Sequence, residues 1–100
     1  MAQAWLGVDE IMMRHSALDA KTAELAYIAV LSALGFERGL AFHAAHAKRL
    51  GATREEAPSA TLVGLPAAGA RVVEALAETL RPFDALDAGD DAQGAEPSAL

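Results

Sequence analysis

One hundred residues suffice for a single domain with a modest core, and they include no cysteine, which excludes disulfides, thiolate metal sites and thiol nucleophiles. Apolar residues make up 53% of the chain but aromatics only 5%, so the bulk is Ala, Leu and Val, a composition for close-packed helices rather than a sheet sandwich. Of the fourteen acids behind the formal charge of -6, five lie from Asp84 onward, leaving nine against eight bases and no basic stripe for nucleic acid.

Residues 1–17 read as an N-terminal helical segment. Trp5, Val8, Met12 and His15 fall on one stripe interrupted by Gly7, which predicts a short helix packing as a lid. A central helix is predicted from Asp19 to Leu34, with Asp19 as N-cap, Leu18 as a staple and Gly35 as the stop. Between Leu25 and Leu34 the helix is apolar nearly all round, so other helices or other subunits must enclose it. A third helix is expected over Phe36 to Leu50, where Phe36, Leu40, His43, Ala47 and Leu50 share a stripe, with Lys48 and Arg49 in the last turn before Gly51.

Thr53-Arg54-Glu55-Glu56 has the form of a capping box. Pro58, five positions past that cap, predicts a kink or a late helix start, because its missing N–H would bond the carbonyl of Arg54. Gly64, Pro66 and Gly69 break the pattern, and Val72, Val73, Leu76 and Leu80 resume a helix expected to end at Arg81-Pro82. Residues 18–83 thus form a helical core, and residues 84–100 an acidic tail with too little apolar bulk to order itself. No run reaches the ~18 apolar residues of a membrane span and the first residues carry no basic leader, so a cytoplasmic protein with no membrane partner is expected.

Glu24 is an acid on an apolar helical face with Ala20, Tyr27, Ile28 and Leu31. It reads either as a proton-transfer carboxyl pushed up by desolvation or as an early-turn Glu held by the helix dipole or by an Arg. His43 sits on the buried stripe of the third helix with His46 a turn later. A hydrogen-bonded core histidine is the commoner meaning of such a position, and a metal site built from Glu24, His43 and His46 is a weak signal without a further ligand.

The order Leu-Asp-x-Lys-Thr-x-Glu-Leu from Leu18, the Ala-Leu-Gly turn at Gly35, the histidine on the next helix and the Leu-Gly-Ala-Thr-Arg-Glu-Glu junction ending at Glu56 resembles the carboxymuconolactone decarboxylase and alkyl-hydroperoxidase D family over roughly Leu18 to Leu80. The resemblance implies an all-α, small antiparallel helical domain that assembles as a trimer or hexamer. It also implies Glu24 and His43 as the proton-handling pair. In the peroxidase branch two cysteines stand where this chain has Phe36 and Gly39, so thiol peroxidase chemistry is excluded by side-chain type. The decarboxylase branch keeps the Glu and the His, but it carries charged residues where this chain has Phe36, Gly39 and Ala45, and it has a longer N-terminal region.

The expectation is therefore a cofactor-free, metal-free lyase or isomerase acting on a small carboxylated or carbonyl compound. Glu24 would move the proton, His43 would partner it, and Phe36, Arg38, Gly39 and His46 would contact the substrate. Because Arg38 is the one arginine near the site, a smaller or more apolar ligand than a dianionic lactone suits it better. A ligand-binding pseudoenzyme and an oligomeric scaffold are the alternatives.

Overall fold

The computed structural model describes residues 2–84 and shows no strand among them. Helix α1 spans Ala2–His15 and α2 spans Ala20–Leu34, followed by a 3-10 turn at Glu37–Gly39 and α3 at Leu40–Arg49. Helices α4 (Glu56–Leu62), α5 (Leu65–Ala68), α6 (Arg71–Glu74) and α7 (Leu76–Asp84) complete the described residues. The acidic segment after Asp84, expected to be mobile, lies outside the described residues. No described helix is long and apolar enough to cross a membrane.

The start of α2 follows from local chemistry. Asp19 in extended backbone accepts from the Thr22 N–H at 2.7 Å, covering one of the orphan donors at the helix N-terminus. Leu18 is about half exposed, and its N–H bonds the Ser16 hydroxyl at 3.0 Å, a further hydrogen bond at the entry of the helix. At the other end Gly35 takes φ 79°, and the Phe36 N–H returns to the Leu31 carbonyl at 3.0 Å. That left-handed cap favours glycine and reverses the chain.

The third helix begins later than the stripe predicts. Phe36 (φ -86°, ψ 81°) is outside helical space, and the stretch Glu37–Gly39 is wound as a 3-10 turn before α3 starts at Leu40. Phe36 and Leu50, the two ends of the predicted stripe, are exposed, whereas Leu40 and Ala47 are buried. The reversal at Gly35 uses up the first turn, so periodicity carried through it overshoots the helix. Past α3, Gly51 at φ 105° allows the Ala52 N–H to reach the Ala47 carbonyl at 2.9 Å.

The capping box forms as its sequence implies: the Glu56 N–H donates to Thr53 Oγ1 and the Thr53 N–H to Glu56 Oε1, both at 3.0 Å. Helix α4 is regular only from Glu56, so Pro58 falls in its first turn, where a missing N–H is tolerated. Pro82 does not end α7, which runs on to Asp84. Its ring is buried, its carbonyl accepts from Lys48 Nζ at 3.1 Å, and Arg54 pairs with Asp84 at 2.9 Å, so contacts with neighbouring segments hold the last turn in place.

Helix α2 packs on α3 and α4, and α7 closes the far side against α3. Ile28, Leu31 and Leu40 fill the core between small residues, Ala44, Ala47, Ala60 and Ala75, which let the helices approach closely. Through this core runs a polar thread. Ser32, Thr61 and Thr79 are fully buried on three helices, with Thr61 and Thr79 hydroxyls 2.9 Å apart and Ser32 and Thr79 each bonded to the carbonyl four residues back. Among the described side chains of α1, Val8, Ile11, Met12 and Met13 are exposed, and Trp5, which opens the expected lid stripe, lies outside the described side chains.

Candidate functional site

The reversal at Gly35 sets the register between α2 and α3. Glu24 lies eleven residues before it and His43 eight after it, which at helical rise leaves an offset of ~4.5 Å along the axis. The 3-10 turn of Glu37–Gly39 advances faster than an α-helix, ~2.0 Å per residue, and so reduces that offset. Glu24 Oε1 and His43 Nδ1 end 2.9 Å apart. His46, one turn further along α3, places its Nδ1 3.0 Å from the other carboxylate oxygen, Oε2. One carboxylate thus holds two imidazoles.

A carboxylate can only accept hydrogen bonds, so both Nδ1 atoms carry the proton of their bond and each neutral ring keeps its lone pair on Nε2. The Glu24 side chain is 12% exposed and that of His43 14%, while His46 is open at 43%. The His43 ring meets Tyr27 edge-on at 4.7 Å between centroids and Phe42 at 5.3 Å. The enclosed imidazole therefore sits between aromatic rings and a carboxylate, and the second imidazole faces outward.

Desolvation is the largest single influence on the Glu24 carboxyl and raises its pKa, but the hydrogen bonds and charges of His43 and then His46 together outweigh it, so the pKa lies below its ordinary value of 4.5. Burial alone would raise the carboxyl, as expected unless Arg38 or a protonated His43 stood close enough to reverse the shift. The offsetting group is not Arg38 but the histidine pair. At neutral pH Glu24 is an anion that orients two imidazoles, and the protons that can move are those on the rings.

The remaining candidates stand apart from this cluster. Arg38 is exposed on the 3-10 turn, and among the described residues no hydrogen bond or ion pair joins it to Glu24, His43 or His46. Phe36 is 53% exposed at the mouth of the reversal. Gly39 is buried one turn before His43. Among the described residues no set of three or more His, Asp or Glu side chains is arranged to hold a metal ion. Tyr27 and Phe42 were not among the candidates; Tyr27 shows itself in sequence only as the residue one turn after Glu24, and nothing in the pattern marks Phe42.

The family model described as the carboxymuconolactone decarboxylase family matches residues 1–81. The chain belongs to the carboxymuconolactone decarboxylase family. The match spans every described helix up to the penultimate turn of α7, so this decarboxylase-family chain carries α1 as part of the family domain. No curated protein and no solved structure matches it. This family member contains no cysteine, and its Glu24 and His43 are in direct contact.

Proposed function

We propose that this family member is a cofactor-free lyase or isomerase that moves a proton on a small carboxylated or carbonyl compound, with His43 as the proton carrier and Glu24 as the anion that orients it. The observation that carries the reading is the 2.9 Å bond between His43 Nδ1 and Glu24 Oε1. It leaves Nε2 as the basic atom and places a buried negative charge where an imidazolium would form. Phe36, Arg38 and Gly39 precede His43 on the same reversal and are proposed to line the approach of the substrate, with Arg38 meeting a carboxylate where one is present. With no cysteine in the chain, nothing calls for an oxidising compartment, and the proposal is of a cytoplasmic protein.

The test is deuterium uptake at the methyl group of pyruvate and decarboxylation of acetoacetate, followed by proton NMR in heavy water. The wild-type protein should act on at least one of them, and His43→Gln should lower the rate by roughly 10²-fold or more, the usual contribution of a positioned acid or base. Activity untouched by His43→Gln overturns the assignment. A wild-type protein inert towards both compounds leaves the second reading, a non-catalytic ligand-binding or scaffold member. That reading draws support from the apolar residues left uncovered on α1 and α2.

A further inference from the structure

The His43–Glu24 pair accounts for one imidazole, yet the carboxylate holds two. His46 Nδ1 lies 3.0 Å from Glu24 Oε2, the same arrangement on the second oxygen. Among the described residues neither histidine Nε2 has a hydrogen-bond partner, and no buried side-chain nitrogen or oxygen is left unpaired, so both Nε2 atoms reach solvent. The charge of the cluster then has a simple arithmetic. When one of the two Nε2 atoms carries a proton, the carboxylate balances that imidazolium, and the cluster then holds one ring with a proton to give and one with a lone pair to take. A single Glu/His couple offers only one of these at a time.

We propose that His46 is the second proton-transfer residue of the site, and that the cluster moves hydrogen between two carbons of an uncharged, unsaturated carbonyl compound. The inference rests on the proton-transfer reading of His43. The two histidines share a face of α3 one turn apart, with Cβ atoms ~5–6 Å from each other, a spacing that a six-membered ring can bridge. An uncharged substrate fits because no described cation bonds the cluster and because the rings of Tyr27 and Phe42 flank His43. For a β,γ-unsaturated ketone, the C–H bond at the carbon next to the carbonyl breaks towards His43 Nε2 and its electron pair spreads over the dienolate. The γ-carbon then takes the Nε2 proton of His46, giving the conjugated ketone. One C–H bond is lost and one is formed, with no change of oxidation state, and exchange with water at the two Nε2 atoms restores the starting protonation.

Cyclohex-3-enone is the probe, its conversion to cyclohex-2-enone read by ultraviolet absorbance and its exchange at the carbon next to the carbonyl by proton NMR in heavy water. Wild-type protein should do both. His43→Gln should lose both, whereas in His46→Gln isomerisation should fall at least about tenfold further than exchange. That shift in the ratio of exchange to isomerisation is a readout that a purely structural role for His46 would not move. His46→Asn is a second variant in case the first fails to fold, each being checked by circular dichroism. Isomerisation that survives His46→Gln and His46→Asn at the wild-type ratio overturns the role of His46 and leaves the reading of His43 intact. A wild-type protein that acts on pyruvate or acetoacetate but leaves the enone unchanged overturns the substrate class.

Discussion

Glu24 is 12% exposed and accepts from two ring nitrogens, so any replacement must answer both donors. A glutamine presents one acceptor and one donor, and the donor faces an N–H unless that ring changes tautomer. Glu24→Gln should destabilise the fold by ~1–3 kcal/mol, the range for a buried polar partner lost, as read from urea unfolding at pH 7. Nitrogen NMR should show at least one histidine leaving the Nδ1–H form. The difference between wild type and variant also has a pH dependence whose sign is set by the direction of the Glu24 shift. Because the folded pKa lies below the ordinary 4.5, the stabilisation is present above that value and is lost as the pH falls through the folded pKa. The two unfolding curves should converge in acid; a gap that stays constant from pH 7 to pH 3 would contradict the ion-paired carboxylate.

The helices are tied together by a polar contact as well as by apolar packing. Thr79 Oγ1 donates to the Ala75 carbonyl at 3.0 Å, which leaves the Thr61 hydroxyl as the donor of the 2.9 Å bond between the two threonines. The two valine replacements should therefore differ. Thr61→Val removes a donor together with its bond and should cost ~1 kcal/mol, whereas Thr79→Val leaves the fully buried Thr61 hydroxyl only the longer 3.5 Å contact with Ser32 Oγ and should cost more, up to ~3 kcal/mol. Chemical denaturation of both variants checks the order, and equal midpoints would mean that the Thr61 proton points elsewhere. The last turn of α7, beside α3 and the segment before α4, shows why Pro82 fails as a stop signal. A proline lacks only one donor, and contacts from Lys48 and Arg54 hold the turn that follows.

Among the described residues, several large apolar side chains lie exposed on the outside of the molecule. Val8, Ile11, Met12 and Met13 on α1, Val30 and Leu34 on α2, and Leu62 and Val63 at the end of α4 are all exposed. Helix α1, fourteen residues long, buries none of its described side chains, and a helix of that length is marginal in water without a packing partner. We propose that copies of the chain cover one another here, as the trimers and hexamers implied by the family resemblance would require. Sedimentation velocity at micromolar concentration should give a species heavier than one chain, and a Met12→Glu, Val30→Glu double variant should shift it towards the monomer. A monomeric wild type would overturn the proposal and leave the exposed stripe without an account.

Helix positions were legible in the sequence wherever a local interaction decides them. Asp19, Gly35, Gly51 and the box from Thr53 to Glu56 each act within a few residues, and each sits in the structure where its chemistry directs. The family, too, could be read from the order of short motifs. What sequence could not decide depends on groups far apart in the chain. Whether α7 passes through Pro82 turns on contacts made only after the chain folds back. The direction of the Glu24 shift is the clearest case. Burial alone argues for a raised pKa, and only the tertiary register of α2 and α3, which brings two histidines nineteen and twenty-two residues away onto the two oxygens of one carboxylate, reverses it.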